Sequence, residues 1–247
     1  MKQKITKAYI QNHFRYHAFL YVCLGIIAFA GLNLLFDVTE YTPPPEKQIV
    51  VYVMDDYFNM AQDTTVLTDA REAFPDMELI DVYSTPMTSY EGQQKFMLVL
   101  AANEGDVYIL DRSYLAYFVK EILATPLDEY IESGIINTES MDLKQLTMTS
   151  VKDAAYPDIA DGAEHVFAIP ATNLYGLMSD FFIDNRNKIL LIPSYSGNKE
   201  NAAKMIQWLY DRYYYEEEPA FVKNYDILKK QLDESGALDN MSINFGY

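Results

Sequence analysis

The chain has 247 residues, with 19 Lys+Arg against 36 Asp+Glu and a formal charge of −17. That imbalance excludes recognition of nucleic acid through phosphate contacts and adhesion of the acidic body to anionic lipid headgroups; a hydrophobic share of 50%, with 14% aromatic, excludes a disordered acidic chain. A single cysteine, Cys23, excludes a disulfide framework and any multi-cysteine metal centre.

The charge is unevenly spread. Residues 1–36 hold four bases (Lys2, Lys4, Lys7, Arg15) and no acid, so the other 211 residues set 15 bases against 36 acids, a net of −21. From His17 to Phe36 the chain reads HAFLYVCLGIIAFAGLNLLF, twenty uncharged residues. As a helix they cover about 30 Å, the thickness of a bilayer core. Bases before the span and Asp37 and Glu40 after it orient the N-terminus to the cytoplasm and the acidic body outward. The predicted organisation is a cytoplasmic N-terminus (1–16), a transmembrane helix (17–36), a proline-rich spacer (37–47) and an extracytoplasmic α/β domain (48–247). Ala28-Phe29-Ala30 has the small-x-small form of a signal-peptide cleavage site, but the apolar run continues through Leu32, Leu34, Leu35 and Phe36, which suits a retained anchor. Tyr21-Val22 precede Cys23 in place of the small residues a lipoprotein signal needs, so Cys23 reads as a membrane-buried small hydrophobe.

YTPPPEK (41–47) favours extended polyproline II and forms a stiff spacer. QIVVYVM (48–54) predicts a buried strand ending at Asp55-Asp56. Apolar positions Ala61, Val66, Leu67, Ala70 and Phe74 predict a helix stopped by Pro75, and MELIDVYS (77–84) predicts a second strand. Ser89 is the expected cap of a helix with Tyr90, Met97, Leu98 and Ala101 on one face, ending near Gly105. DVYIL (106–110) follows as a third strand, and the strand–helix alternation argues for a parallel sheet.

Farther on, helices are expected over 113–123, over 126–133 with Gly134 as stop, and over 141–149. HVFAIP (165–170) and KILLIP (188–193) read as strands ended by proline. Asn198 is placed as the cap of a helix over 199–214, with Ala202, Ala203, Ile206, Leu209 and Tyr210 on one face, and a last amphipathic helix is expected over 219–232. Trp208 reads as a core residue and Tyr213-Tyr214-Tyr215 as packing onto that last helix.

AANEGDVYILD (101–111) resembles the segment of extracellular solute-binding proteins of ABC importers in which the second helix of the first lobe gives way to its third strand. PLDEYIESG (126–134) is similar to the loop that follows, FAIP (167–170) to the hinge strand and IPSYSGNKENAAKMIQWL (192–209) to the later return segment. These patches occur in that family's order. The chain departs from it between Pro170 and Lys188, where full-length members carry a second lobe and only a short segment stands here. The resemblance implies an α/β fold with a mostly parallel sheet flanked by helices, a single solute-binding-protein-like lobe behind one transmembrane helix. It also implies a bacterial cell envelope, binding without catalysis, and an ABC-transporter permease or another envelope protein as partner.

In open parallel α/β sheets ligands sit at the carboxyl ends of strands. That rule selects Asp55, Asp56 and Tyr57 after the first strand, Asp111, Arg112 and Tyr114 after the third, and Thr172, Asn173 and Tyr175 after the hinge strand. Carboxylates, a guanidinium and aromatic faces suit a small polar or sugar-like ligand. In the competing reading Asp55 and Asp111 are turn residues, Arg112 pairs with a neighbouring acid and the tyrosines are packing. Asp55, Asp56 and Asp111 also raise calcium as a ligand; with no D-x-D-x-D-G loop, a solvated acidic rim is expected and no metal or cofactor is assigned. Of three histidines only His165 lies outside the anchor region, and no G-x-S-x-G, H-E-x-x-H or P-loop motif is present, so no catalytic residue is assigned. The two functions carried forward are a membrane-anchored, non-catalytic binding module and a structural or interaction protein of the envelope that has lost small-ligand binding.

Overall fold

The computed structural model describes residues 7–39, 41, 43–56, 58 and 64–235. The chain divides into two compact units, Met1–Thr42 and Pro43–Tyr247. Among the described residues the first holds one helix, α1 (Lys7–Thr39). Its stretch Tyr16–Leu35 is long and apolar enough to cross a membrane, with a mean hydropathy of 2.2; Phe19, Leu24, Ile27 and Phe29 are exposed along it. Such a helix fits a membrane anchor or a signal sequence.

In the second unit, β1 (Gln48–Val53) is the middle strand of the parallel half of a five-stranded sheet, between β2 (Leu79–Ser84) and β3 (Val107–Asp111). Both pairings are parallel, Val51 opposite Val82 on one side and Val107 on the other. The crossovers run through α2 (Thr64–Ala73) and α3 (Tyr90–Ala102). Successive strand residues face opposite sides of a sheet, and β1 and β3 are apolar on both. Ile49, Val51, Val53, Val107 and Ile109 pack under α2 with the later helices α6 (Gly176–Asp180) and α7 (Lys199–Tyr213). Tyr52, Met54, Tyr108 and Leu110 pack under Phe96, Val99 and Leu100 of α3 and Leu115 and Phe118 of α4 (Leu115–Lys120). Helices thus cover both faces, as the mixed α/β expectation requires.

The sheet continues β3, β7 (Lys188–Leu191), β6 (Ile169–Pro170). The sheet is mostly parallel, as expected, with one exception: β7 is antiparallel to both neighbours, with Tyr108 opposite Leu191 and Ile169 opposite Leu190. Residues 171–187 return the chain directly from β6 to the adjacent β7, and a direct return makes neighbours antiparallel, whereas a parallel pair needs a crossover. The other four strands share one direction.

Four further expectations change. HVFAIP is not one strand: Glu164–Val166 forms β5, paired antiparallel with β4 (Thr147–Thr149) in a separate ribbon, and only Ile169–Pro170 joins the main sheet. The helix expected over 141–149 is absent because its end, the β-branched Thr147 and Thr149 around Met148, is spent on that ribbon. Ser89 caps α3, its hydroxyl accepting from the Gly92 amide, but the helix ends at left-handed Asn103, and Gly105 (φ 94°) instead lets the turn into β3 pass against the Tyr52 ring. Asn198 stands before α7 without a side-chain cap bond; its amide donates to the Gln48 carbonyl and ties α7 to β1. α5 (Asp128–Glu132) and α8 (Phe221–Ser235) form where expected. Trp208 meets Phe74 edge-on, and Tyr215 meets Phe221 of α8 edge-on. The part of the first predicted helix over 59–63 lies outside the described residues.

Candidate functional site

A cavity of about 340 Å³ opens where β3 and β6 end and antiparallel β7 begins. β3 delivers Asp111 and, one residue on, Arg112 into a single 3-10 turn, Arg112–Tyr114. β6 ends at Pro170, and the chain after it is held by Asn185, a fully buried side chain whose amide nitrogen donates to the carbonyls of Ala171 and Thr172, both at 2.8 Å. That clamp presents Thr172 and Asn173 to the cavity, and the Tyr215 amide fastens the Asn173 carbonyl at 2.9 Å. The remaining wall comes from Ser140, Met141, Asp142, Gln145 and Leu146, from Arg186, Asn187 and Lys188 at the start of β7, and from Tyr210 of α7, whose hydroxyl lies 3.2 Å from that of Ser140.

Under the cavity lies an ion cluster that the sequence reading did not anticipate. Lys188 Nζ is 3.1 Å from Asp55 Oδ2, with both side chains almost wholly buried (5% and 4% exposed), and 3.5 Å from Asp111 Oδ1. The same ammonium donates to the Met54 carbonyl at 2.7 Å, so all three of its protons have acceptors. The solvated acidic rim expected of Asp55 and Asp111 is therefore a buried lysine site on the Asp55 side. Among the described residues no group of three or more His, Cys, Asp or Glu side chains is placed to hold a metal ion; between Asp55 and Asp111 the positive charge is Lys188's own.

A second ion cluster braces the outer wall. Arg186 makes a forked pair with Asp184, Nε to Oδ1 and Nη2 to Oδ2 at 2.8 Å each, and reaches Asp226 of α8 at 3.0 Å; Lys229 of α8 meets Asp184 at 2.8 Å. Burial opposes ionisation of Asp184, but hydrogen bonds from Arg186 and Lys229 and their charges prevail, holding its carboxyl far below the usual range and raising the Arg186 guanidinium above its own.

Of the residues selected by the strand-end rule, Arg112, Thr172 and Asn173 line the cavity together. Asp111 stands beside it through Lys188, and Asp55 lies beneath. Asp56 is spent elsewhere, accepting from the Thr88 amide and hydroxyl at 3.0 and 2.9 Å and pinning the loop that leads into α3. Tyr114 packs edge-on against Phe96, and Tyr175 packs with Met178, Val222 and Tyr225 beside α8. Tyr57 lies outside the described residues. Arg112 has no acid partner among the described residues; its Nη2 donates to the side-chain oxygen of Gln145. Lys188 left one trace in the sequence, a lone charge opening a wholly apolar strand. Ser140 and Gln145 left none, because a loop distant in sequence brings them to the site, and Arg186, two residues before Lys188, left none because its partner Asp226 lies far along the chain on α8.

No protein-family model matches the chain, and no curated protein matches it. Among solved structures it is similar to an extracellular solute-binding protein family 1 member from Alicyclobacillus acidocaldarius, at 16% identity and a TM-score of 0.38, covering 53% of this chain and 29% of that one. A putative spermidine/putrescine ABC transporter protein from Listeria monocytogenes is similar at 11% identity and a TM-score of 0.35, covering 66% and 78%. The PBP AttC of Agrobacterium tumefaciens, in an open unliganded conformation, is similar at 10% identity and a TM-score of 0.33, covering 66% and 79%. This chain thus spans less than a third of the length of the Alicyclobacillus protein.

Proposed function

We propose that this chain is a single-pass membrane protein of the bacterial cell envelope whose outer domain binds a small polar solute without catalysis, as one lobe of an ABC-importer binding protein would. The observation that carries the reading is the cavity at the strand ends, where Arg112, Thr172 and Asn173 converge from β3 and β6. Its volume lies at the lower end of the range for small-ligand pockets, and its walls combine fixed hydrogen-bonding groups with the apolar surfaces of Leu146, Ile189 and Met141. The charge asymmetry around residues 17–36 supports an outward-facing domain. A transporter permease in the same membrane is the partner this reading implies.

The test is a thermal-shift screen of the full chain in detergent micelles against sugars, sugar phosphates, amino acids, dicarboxylates and diamines. A saturable rise in Tm, abolished by filling the cavity with Thr172→Trp, is the expected result; no rise with any class overturns the reading.

A second reading, an envelope interaction protein without small-ligand binding, is favoured by one observation. The outer side of α3 exposes Tyr90, Met97 and Leu98, the last at 70% exposure, and apolar side chains so placed mark contact surfaces. Cross-linking in native membranes that recovers one dominant partner, lost with Leu98→Lys, supports it; recovery of none counts against it.

A further inference from the structure

Resting on the reading of the cavity as a solute site, we infer that the solute carries an anionic group, a carboxylate or a phosphate, and that the Arg112 guanidinium receives it. The inference comes from comparing how the cavity's three cations are already engaged. Lys188 is saturated by Met54, Asp55 and Asp111. Arg186 is committed through Nε and Nη2 to Asp184 and Asp226. Among the described residues Arg112 meets no acid and donates to the neutral amide oxygen of Gln145. A guanidinium offers five N–H donors in a planar fork that matches a carboxylate or phosphate edge, and most of the Arg112 fork is unspent. Its neighbour Asp111 is turned to Lys188 and does not pair with it.

The rest of the wall can support an anion beside that guanidinium, because it supplies further donors. Gln145 has its oxygen engaged with Arg112, which leaves its NH2 group to donate. Asn173 and Asn187 each bring an NH2 group and Thr172 a hydroxyl. Among the described residues Asp142 is the one carboxylate in the lining, and its Oδ1 already accepts from the Lys144 amide at 3.2 Å. The cavity volume limits the solute to the scale of a short dicarboxylate or a monosaccharide phosphate.

Isothermal titration of the full chain in detergent micelles separates the possibilities, using succinate, inorganic phosphate and glucose 6-phosphate against glucose and putrescine. Binding of an anionic probe that weakens about tenfold or more in Arg112→Gln, is partly restored in Arg112→Lys and declines with added NaCl is the expected result. The succinate and phosphate arms tell which anion the fork takes. Binding of glucose or putrescine alone overturns the anion assignment while leaving solute binding standing. Anion binding undiminished in Arg112→Gln also overturns it, since the anion then sits elsewhere. Absence of binding by every probe removes the assignment together with the solute reading beneath it.

Discussion

Lys188, the first residue of β7, places its ammonium 3.1 Å from the carboxylate of Asp55, the second residue past β1, although 133 positions separate them and neither side chain exceeds 5% exposure. The pair joins two strands that are not neighbours in the sheet, since β3 lies between β1 and β7, and it forms the floor of the candidate site.

Removing one member of this pair takes from a buried charge its nearest ionic partner, although Lys188 keeps Asp111 at 3.5 Å. Asp55→Asn and Lys188→Met are each expected to destabilise the outer unit by about 3–5 kcal/mol. For a unit of this size that is a fall in Tm of about 6–20 °C. The double variant Asp55→Leu/Lys188→Met should recover part of the loss, because an apolar pair avoids the desolvation that ions incur. Calorimetry on the three variants checks this; single variants within 1 °C of the parent would show the pair to be dispensable.

A pH dependence is expected from His165 in β5. Its ring lies between Asp128 at the start of α5 (Nδ1 to Oδ2, 3.0 Å) and Asp161 (Nε2 to Oδ1, 3.1 Å). Burial opposes protonation, but the hydrogen bonds and charges of the two carboxylates outweigh it, so His165 holds its proton above the usual 6.5. Asp161, held by the Ala163 amide, His165 and Ser150, titrates near 2 in place of 3.8. A raised histidine stabilises fully below its unfolded value and loses that contribution as pH rises through the folded one; a depressed aspartate loses its contribution as pH falls below 3.8. The bridge is therefore complete between about pH 4 and 6.5, and Tm should decline from there toward pH 8.5. In His165→Gln that decline should be shallower; an unchanged slope would assign the pH dependence to other groups.

Gly92 lies in the first turn of α3, where alanine ordinarily improves on glycine by about 1 kcal/mol. Here a Cβ would stand 1.6 Å from the Pro86 carbonyl oxygen, a backbone atom that cannot swing aside. Gly92→Ala should reverse the ordinary sign and destabilise by about 1–3 kcal/mol or more, read as a lower urea midpoint. A midpoint at or above the parent's would mean that the 85–89 loop moves freely.

The anchor is tested by a charge at its centre. Ile26→Arg places a cation mid-span, which costs about 2.5–3.5 kcal/mol on insertion. The parent chain should remain with membranes through carbonate extraction and expose its acidic domain to external protease, and the variant should be extracted in greater proportion. Parent chain recovered in the soluble fraction would remove the anchor.

What the sequence determined by itself rests on local periodicity and on charge. Twenty uncharged residues behind four bases specify a span-length helix; the apolar β-branched run QIVVYVM and the alternation in MELIDVYS specify strands; Ser89 and Gly134 mark helix ends. Each signal is written within a few residues, because the chemistry that produces it, backbone hydrogen bonding and one-sided burial, acts within a few residues. The strand-end rule likewise brought Arg112, Thr172 and Asn173 together from separate stretches of chain. Tertiary structure alone decided the rest. The direction of β7 follows from where β6 leaves the chain, and the division of HVFAIP follows from its pairing with Thr147–Thr149. The fate of each candidate charge depends on partners far away in sequence: Lys188 neutralises Asp55, Thr88 occupies Asp56, and Arg112 meets a neutral Gln145 where the competing reading placed an acid. Ionic pairing is decided by distances of a few ångströms in space, and no local pattern in the chain records them.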